Sequence, residues 1–340
     1  MLNIYDYDYE KLEAFLLSLG EKKFRTKQIW DWLYIKKVTS FEEMTNLNKE
    51  LIDKLKNNFK FDYIKIKNKQ VSDLTNKYLF ELLDGNFIEA VIMRHDYGIS
   101  ICVSSEVGCN MGCAFCESGR LKKVRNLDTY EIVEQILLIG AELNERIDSV
   151  VIMGIGEPFD NYDNIINFIE IINNPFGLAI GARHITVSTC GIIPKIKEFM
   201  NLDLQVNLAI SLHASNNELR SKLMPINNAY PLNNLINTIK EYIIKTNRRV
   251  TIEYVMLKGV NDSKDNALEL SHLLKGMNIY VNLIPYNETS HIEYKKSNIV
   301  VIKEFYDILK KNNINVTIRK EFGSGIDAAC GQLRAKEVDK

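Results

Sequence analysis

ISICVSSEVGCNMGCAFCESG, residues 99–119, runs from an apolar, β-branched stretch straight into three cysteines, Cys109, Cys113 and Cys116. The first part reads as a strand. The C-x3-C-x2-C row then reads as the loop beyond its carboxyl end, where Gly108 and Gly112 let the chain fold tightly around a bound group. The chain has six cysteines in 340 residues, and half of them fall in this row. Three thiolates are one short of a closed structural zinc site, and no second pair lies nearby. They suit an iron–sulfur cluster in which one iron lacks a protein ligand. Zinc is the alternative that spacing leaves open.

Outward from this row, a strand–helix rhythm sets in. Apolar runs at SVVIMG (149–154), HITVSTC (184–190), QVNLAISLH (205–213), RVTIEYVML (249–257), IYVNLIPY (279–286) and NVTIRK (315–320) alternate with helical stretches such as DTYEIVEQILLIGAEL. That alternation predicts parallel βα units, six of them after the cysteine row, in a curved sheet or an open barrel. In such folds the chemistry sits on loops that follow the strands. The cysteine row, GIGEP, STCG, SLHAS and IPYNE all lie there.

Before the row the period differs. Residues 1–60 read as short helices. KQIWDWLYIKK sets Ile29, Trp30, Leu33 and Tyr34 on one stripe, Ser40 to Glu43 has the pattern of a capping box, and ELIDKL continues the helical signal. Residues 61–98 read as short strands that link this helical domain to a core at 99–340. The composition, 46% hydrophobic and 26% charged with net charge −1, suits a globular protein and gives no global hint of a nucleic-acid partner. No apolar run is long enough to span a bilayer, and the first residues lack the pattern of a secretory signal, so a cytoplasmic location is expected. Reduced cytosolic thiols favour metal binding or catalysis over disulfides.

Several polar residues fall at strand ends. Glu157 of GIGEP offers a carboxylate to an ammonium group. Ser188, Ser211, His213 and Asn287 on one rim suit a nucleoside-like cofactor. Cys190 reads as a small buried thiol. Cys102 and Cys330 stand apart from the row, one on the first strand and one after the last. A sheet curling toward closure would bring them toward one site. KLKNNFKFDYIKIKNK (54–69) reads either as a phosphate-binding stripe through Lys65, Lys67 and Lys69 or as a charged sheet edge. Arg120, Lys122, Lys123 and Arg125 are a second basic candidate.

ICVSSEVGCNMGCAFC, MGIGEPFDNYDN, HITVSTCGIIPKI, LAISLHAS, LMPIN, RVTIEYVMLKGVND, VNLIPYN and IDAACGQL, with FRTKQIWDWLYIKKVTSFEEMTNLNKEL ahead of them, resemble in order the RlmN/Cfr family of radical S-adenosylmethionine RNA methyltransferases. The resemblance implies an α/β fold, an open (βα)6 partial barrel with a small helical N-terminal accessory domain that binds RNA. It implies a [4Fe–4S] cluster on Cys109, Cys113 and Cys116, and S-adenosyl-L-methionine contacted by Gly156, Glu157, Ser188, Ser211, Leu212, His213 and Asn287. Cys330 would be the methyl carrier, isolated partly as S-methylcysteine. Cys102 would be its resolving partner, leaving a Cys102–Cys330 disulfide, and Glu89 the proton acceptor.

The implied substrate is an adenosine of 23S rRNA, methylated at carbon 2 as in RlmN-type members or carbon 8 as in Cfr-type members, with tRNA as a further substrate. The target base is expected to flip out of its stack. A one-electron reductant such as flavodoxin or ferredoxin is implied, and no membrane. Two positions depart from the family pattern: Gly325, where an acidic residue is usual, and Glu117, where a small one is commoner.

Overall fold

The computed structural model describes residues 1–319 and 332–338. The N-terminal residues form three helices, Tyr9–Ser18, Phe24–Tyr34 and Lys49–Asn58. The first and third begin on side-chain caps. Asp8 accepts from the Lys11 N–H at 2.7 Å and Asn48 from the Leu51 N–H at 2.9 Å, satisfying donors that a first turn leaves open. On the second helix Ile29, Trp30, Leu33 and Tyr34 are all buried, as their spacing requires. The Ser40–Glu43 capping box forms, but it opens only the single 3-10 turn Phe41–Glu43; the helix of ELIDKL starts on Asn48. The helical unit is tied to the core by Asp6, which accepts from the Tyr130 N–H at 2.9 Å.

The main sheet has ten strands: β1 (Lys65–Ser72), β2 (Thr75–Glu81), β3 (Phe87–His95), β4 (Gly98–Val103), β5 (Ser149–Ile152), β6 (Ile185–Thr189), β7 (Asn207–Ser211), β8 (Val250–Met256), β9 (Ile279–Pro285) and β10 (Val316–Ile318). They lie across the sheet in chain order. β1 to β4 form an antiparallel meander. β4 to β10 are parallel. Parallel neighbours need crossover connections. Six helices supply them: Thr129–Leu143, Tyr162–Asn173, Ile193–Phe199, Leu232–Thr246, Lys264–Leu274 and Ile299–Lys311. This is the (βα)6 arrangement.

The short strands of residues 61–98 are hydrogen-bonded into this same sheet. That extension changes the shape. β1 and β10 are the two edges, yet the Arg319 guanidinium, just past β10, lies 3.9 Å from the sulfur of Met93 on β3. The sheet therefore curls until its β10 edge approaches β3 across a cavity of about 350 Å³. β1 itself carries a bulge between Ile66 and Asn68, which breaks the alternation of Lys65, Lys67 and Lys69. Lys67 pairs with Glu81 at 3.1 Å and Lys69 with Glu142 at 2.5 Å. These contacts favour the charged-edge reading over the phosphate stripe.

Candidate active site

The cavity opens at the carboxyl ends of the parallel strands, and the cysteine loop forms one wall. Cys109, Cys113 and Cys116 all line it. Backbone bonds fix the loop: Cys109 N–H donates to the Leu121 carbonyl at 3.1 Å, and Ala114 N–H to the Leu223 carbonyl at 2.9 Å. Gly108, at φ +82°, is required here, because an added Cβ would sit 2.1 Å from the Lys122 carbonyl oxygen. Burial pushes the Cys109 thiol up to about 12, and it raises Cys113 and Cys116 as well. Neighbouring thiolate charge adds to the rise at Cys109 and Cys113. Three clustered thiols of this kind become stable thiolates only against a bound cation.

GIGEP forms the adjoining wall. Gly156 has φ +111°, and a Cβ there would lie 2.6 Å from both Ser105 Oγ and Glu106 Cγ. Glu157 is buried with both oxygens held. Phe159 N–H donates to Oε1 at 3.0 Å and Cys190 N–H to Oε2 at 2.8 Å. Burial pushes its carboxyl up, while these N–H groups pull it down. Beneath it, Glu106 accepts from the Glu157 N–H at 2.9 Å and pairs with Lys123 at 2.6 Å. Desolvation brings the Glu106 carboxyl to about 7.

The next strand ends supply the polar rim. Ser188 on β6 and Ser211 on β7 face the cavity with their hydroxyls 3.4 Å apart. His213 holds φ +56°, an unusual conformation for a non-glycine residue. Three bonds hold it there: its N–H to the Glu253 carbonyl at 3.3 Å, its carbonyl from Asn261 Nδ2 at 2.9 Å, and its Nδ1 from the Val255 N–H at 3.0 Å. Burial, aided by Arg220, lowers its pKa to about 3. The ring is thus neutral, and since Nδ1 accepts, Nε2 carries the proton as a donor. Asn287 lies on the exposed rim past β9, where Tyr286 Oη donates to the Phe115 carbonyl at 3.1 Å and ties that loop to the cysteine loop. Leu212 is fully buried in the apolar core; its N–H donates to the Glu253 carbonyl at 3.1 Å.

The opposite wall comes from the antiparallel strands. Cys102 on β4 lines the cavity and is paired in register with Val91 on β3, which in turn faces Lys77 on β2. Glu89 is two residues from Val91 on the same face and is buried at 3% exposure. Cys330 and Gly325 lie outside the described residues. Glu117 is a buried wall residue: Arg120 Nε donates to its Oε1 at 2.9 Å, and His291 Nδ1 lies 3.0 Å from the same oxygen. Lys123 pairs with Glu106 and Asp160, and Arg125 with Glu131 and Asp84. These pairings neutralise much of the basic segment after the loop.

Sequence reasoning missed Lys77, Arg220, Glu253 and Arg319. Arg220 is fully buried, with Nη2 donating to the Cys190 carbonyl at 2.6 Å and Nη1 to Asn227 at 3.0 Å. Glu253 is a cavity-lining carboxylate on β8. Only alternation on a strand of known register would have marked Lys77 and Glu253 as cavity-facing.

The donor set fits a cluster and its nucleoside partner. Among the described residues no group of three His, Cys, Asp or Glu side chains is arranged to hold a single ion. A [4Fe–4S] cluster does not ask for that arrangement, because each thiolate binds a different iron. Glu117 Oε2 and Glu253 Oε2 are buried acceptors without hydrogen-bond partners among the described residues. Orphaned acceptors in a cavity wall suit a ligand rich in amine and hydroxyl donors.

A curled (βα)6 sheet with three cysteines on the loop after its first parallel strand defines a radical S-adenosylmethionine protein, and the family model of that superfamily matches residues 103–270. The ribosomal RNA large subunit methyltransferase N-terminal domain model, RlmN_N, matches residues 2–60. The chain is 54% identical over 336 residues to the "Probable dual-specificity RNA methyltransferase RlmN" of Acholeplasma laidlawii, covering 98% of this chain and 99% of that one. It is 55% identical over 347 residues to the protein of the same name from Listeria welshimeri, covering 99% and 95%. The crystal structure of a radical SAM methyltransferase from Sphaerobacter thermophilus superposes with a TM-score of 0.92 at 38% identity, covering 98% and 99%. The chain belongs to the RlmN family of radical S-adenosylmethionine RNA methyltransferases. Its cofactors are accordingly a [4Fe–4S] cluster and S-adenosylmethionine.

Proposed function

We propose that this protein methylates carbon 2 of an adenosine in 23S rRNA, and an adenosine of some tRNAs, from the cytoplasm. The observation that carries this reading is the shared cavity. Its walls bring the three-cysteine loop, the Glu157–His213 rim and Cys102 around one space. Relatives whose printed name is "dual-specificity RNA methyltransferase RlmN" support RNA methylation; carbon 2 and the two RNA classes follow from the resemblance to RlmN-type members. Among the described residues no helix is long and apolar enough to cross a membrane.

In this reading Cys109, Cys113 and Cys116 hold the cluster. Gly156, Glu157, Ser188, Ser211, Leu212, His213 and Asn287 contact S-adenosylmethionine, with Leu212 acting through its backbone, because its side chain is in the core. The cluster and its bound nucleoside supply the one-electron chemistry that makes an unactivated carbon reactive. The chain's own groups do the rest. Cys330 carries the methyl group as a thioether and forms a transient covalent link with the base. Glu89 accepts the ring proton; Cys102 then attacks the Cys330 sulfur, the bond from that sulfur to the transferred carbon breaks, and that carbon takes up a proton to become the methyl group of the product. The resulting disulfide and the cluster both need electrons, which a flavodoxin or ferredoxin would deliver. Orienting the reacting groups toward one another supplies much of the rate, since well-oriented partners reach effective molarities of about 10⁵–10⁸ M.

The test is anaerobic reaction of the reconstituted protein with 23S rRNA and with tRNA, followed by nucleoside mass spectrometry. The reading expects 2-methyladenosine. Recovery of 8-methyladenosine assigns the Cfr-type outcome instead, and no methylated adenosine rejects both.

A further inference from the structure

A fully buried lysine in the cavity wall has no role so far. Lys77 has no exposed surface, yet it lines the cavity, and its Nζ lies 3.0 Å from Glu89 Oε2. Register explains the contact. Lys77 is paired with Val91, so Glu89 is its diagonal neighbour on the same face, within reach of a long side chain. The other oxygen, Glu89 Oε1, accepts from the Arg334 N–H of the C-terminal helix Gln332–Val338 at 2.5 Å. The Glu89 backbone is held too, since Ser104 Oγ donates to its carbonyl at 2.6 Å. Taking both charges of an ion pair out of water rarely stabilises a fold, so stability alone is a weak reason for Lys77 to be here.

We propose that Lys77 is the positioning residue of the proton acceptor. Its ammonium fixes one oxygen of Glu89 while the Arg334 N–H fixes the other. With both oxygens held, the carboxylate stands oriented before a base arrives. In the step it serves, the ring C–H bond of the linked base breaks, the proton goes to Glu89, and the electron pair stays in the ring. Lys77 itself neither gives nor takes a proton in this step; its part is to hold Glu89 in place. This inference rests on the reading of Glu89 as proton acceptor.

Holoprotein with Lys77→Met, Lys77→Arg or Glu89→Gln is tested in a single turnover on 23S rRNA, and the covalent protein–RNA species is followed on denaturing gels. Lys77→Met and Glu89→Gln are expected to accumulate that species, its breakdown slowed roughly tenfold or more. Lys77→Arg, which keeps a cation beside Glu89, is expected to restore breakdown to near the wild-type rate. Cluster absorbance and S-adenosylmethionine binding are expected to match wild type in all three. Should Lys77→Met fold poorly around an uncompensated carboxylate, the Lys77→Met/Glu89→Gln double variant replaces it; it is expected to be no slower than Glu89→Gln alone. Wild-type breakdown in Lys77→Met, failure of Lys77→Arg to rescue, or a double variant much slower than Glu89→Gln overturns the role of Lys77. Wild-type breakdown in Glu89→Gln instead removes Glu89 as the acceptor, and the role of Lys77 falls with it.

Discussion

Glu157→Gln alters one atom and separates two things that this carboxylate does. In the native protein Oε1 and Oε2 each accept a backbone N–H, from Phe159 at 3.0 Å and Cys190 at 2.8 Å. An amide has one acceptor, so one N–H is left buried and facing an NH2 group. Orphaning a buried donor costs about 1–3 kcal/mol of stability. In the proposed site the substitution would also remove the carboxylate oxygen that meets the ligand's ammonium, a contact worth about 1.5–3 kcal/mol. That converts to a loss of roughly 10- to 150-fold in affinity for S-adenosylmethionine. Urea denaturation of the reconstituted protein reads the first effect, and equilibrium dialysis with labelled S-adenosylmethionine reads the second. A variant that loses stability but binds with native affinity would refute the assignment of Glu157 to the ammonium. Its carboxylate would then serve only to hold the Cys190 turn.

Three further outcomes are expected. Glu134, which accepts from the Ile64 N–H at 2.7 Å, has its carboxyl raised by burial to about 9, so it folds protonated at neutral pH. Its contribution is intact below its ordinary value and falls as pH rises toward 9, by roughly 1.4 kcal/mol per pH unit; Glu134→Gln should therefore match wild type near pH 5 and exceed it in denaturation midpoint at pH 8. Gly156→Ala must displace Ser105 or Glu106 from 2.6 Å contacts and hold alanine at φ +111°, so S-adenosylmethionine binding should weaken at least tenfold while the cluster still assembles; native affinity by dialysis would contradict the close approach. Cys330→Ala should abolish methyl transfer and leave the cluster spectrum unchanged, and mass spectrometry of wild-type peptides should find part of Cys330 as S-methylcysteine.

The sequence made the parallel core legible because two strong periodicities coincide there. β5 to β10 are short apolar runs separated by amphipathic helices, and the cysteine row marks the end of the strand before them. The meander was harder to place. β1 to β3 are recognisable as strands, but nothing local in KYLFELL or FIEAVIM says which sheet they join. Long-range register decides that, and register is also what places Lys77 beside Glu89. Taken alone, Glu89 reads as an exposed strand-end carboxylate; it is instead buried because β2 and the C-terminal helix cover it. The neutral ring of His213 is equally invisible in SLHAS. It follows from the Val255 N–H that meets Nδ1 and from burial beside Arg220. The capping box at Ser40 was legible as a motif, but the length of what it caps was not.

We propose that the loop bearing Cys109, Cys113 and Cys116 holds a [4Fe–4S] cluster whose remaining iron is open to S-adenosylmethionine. Electron paramagnetic resonance of the anaerobically reduced holoprotein, recorded before and after S-adenosylmethionine is added, decides it, with metal analysis of the same sample. Iron and sulfide in cluster proportions are expected, with a reduced-cluster signal that changes on addition. A single zinc per chain, or a cluster signal indifferent to S-adenosylmethionine, would contradict it.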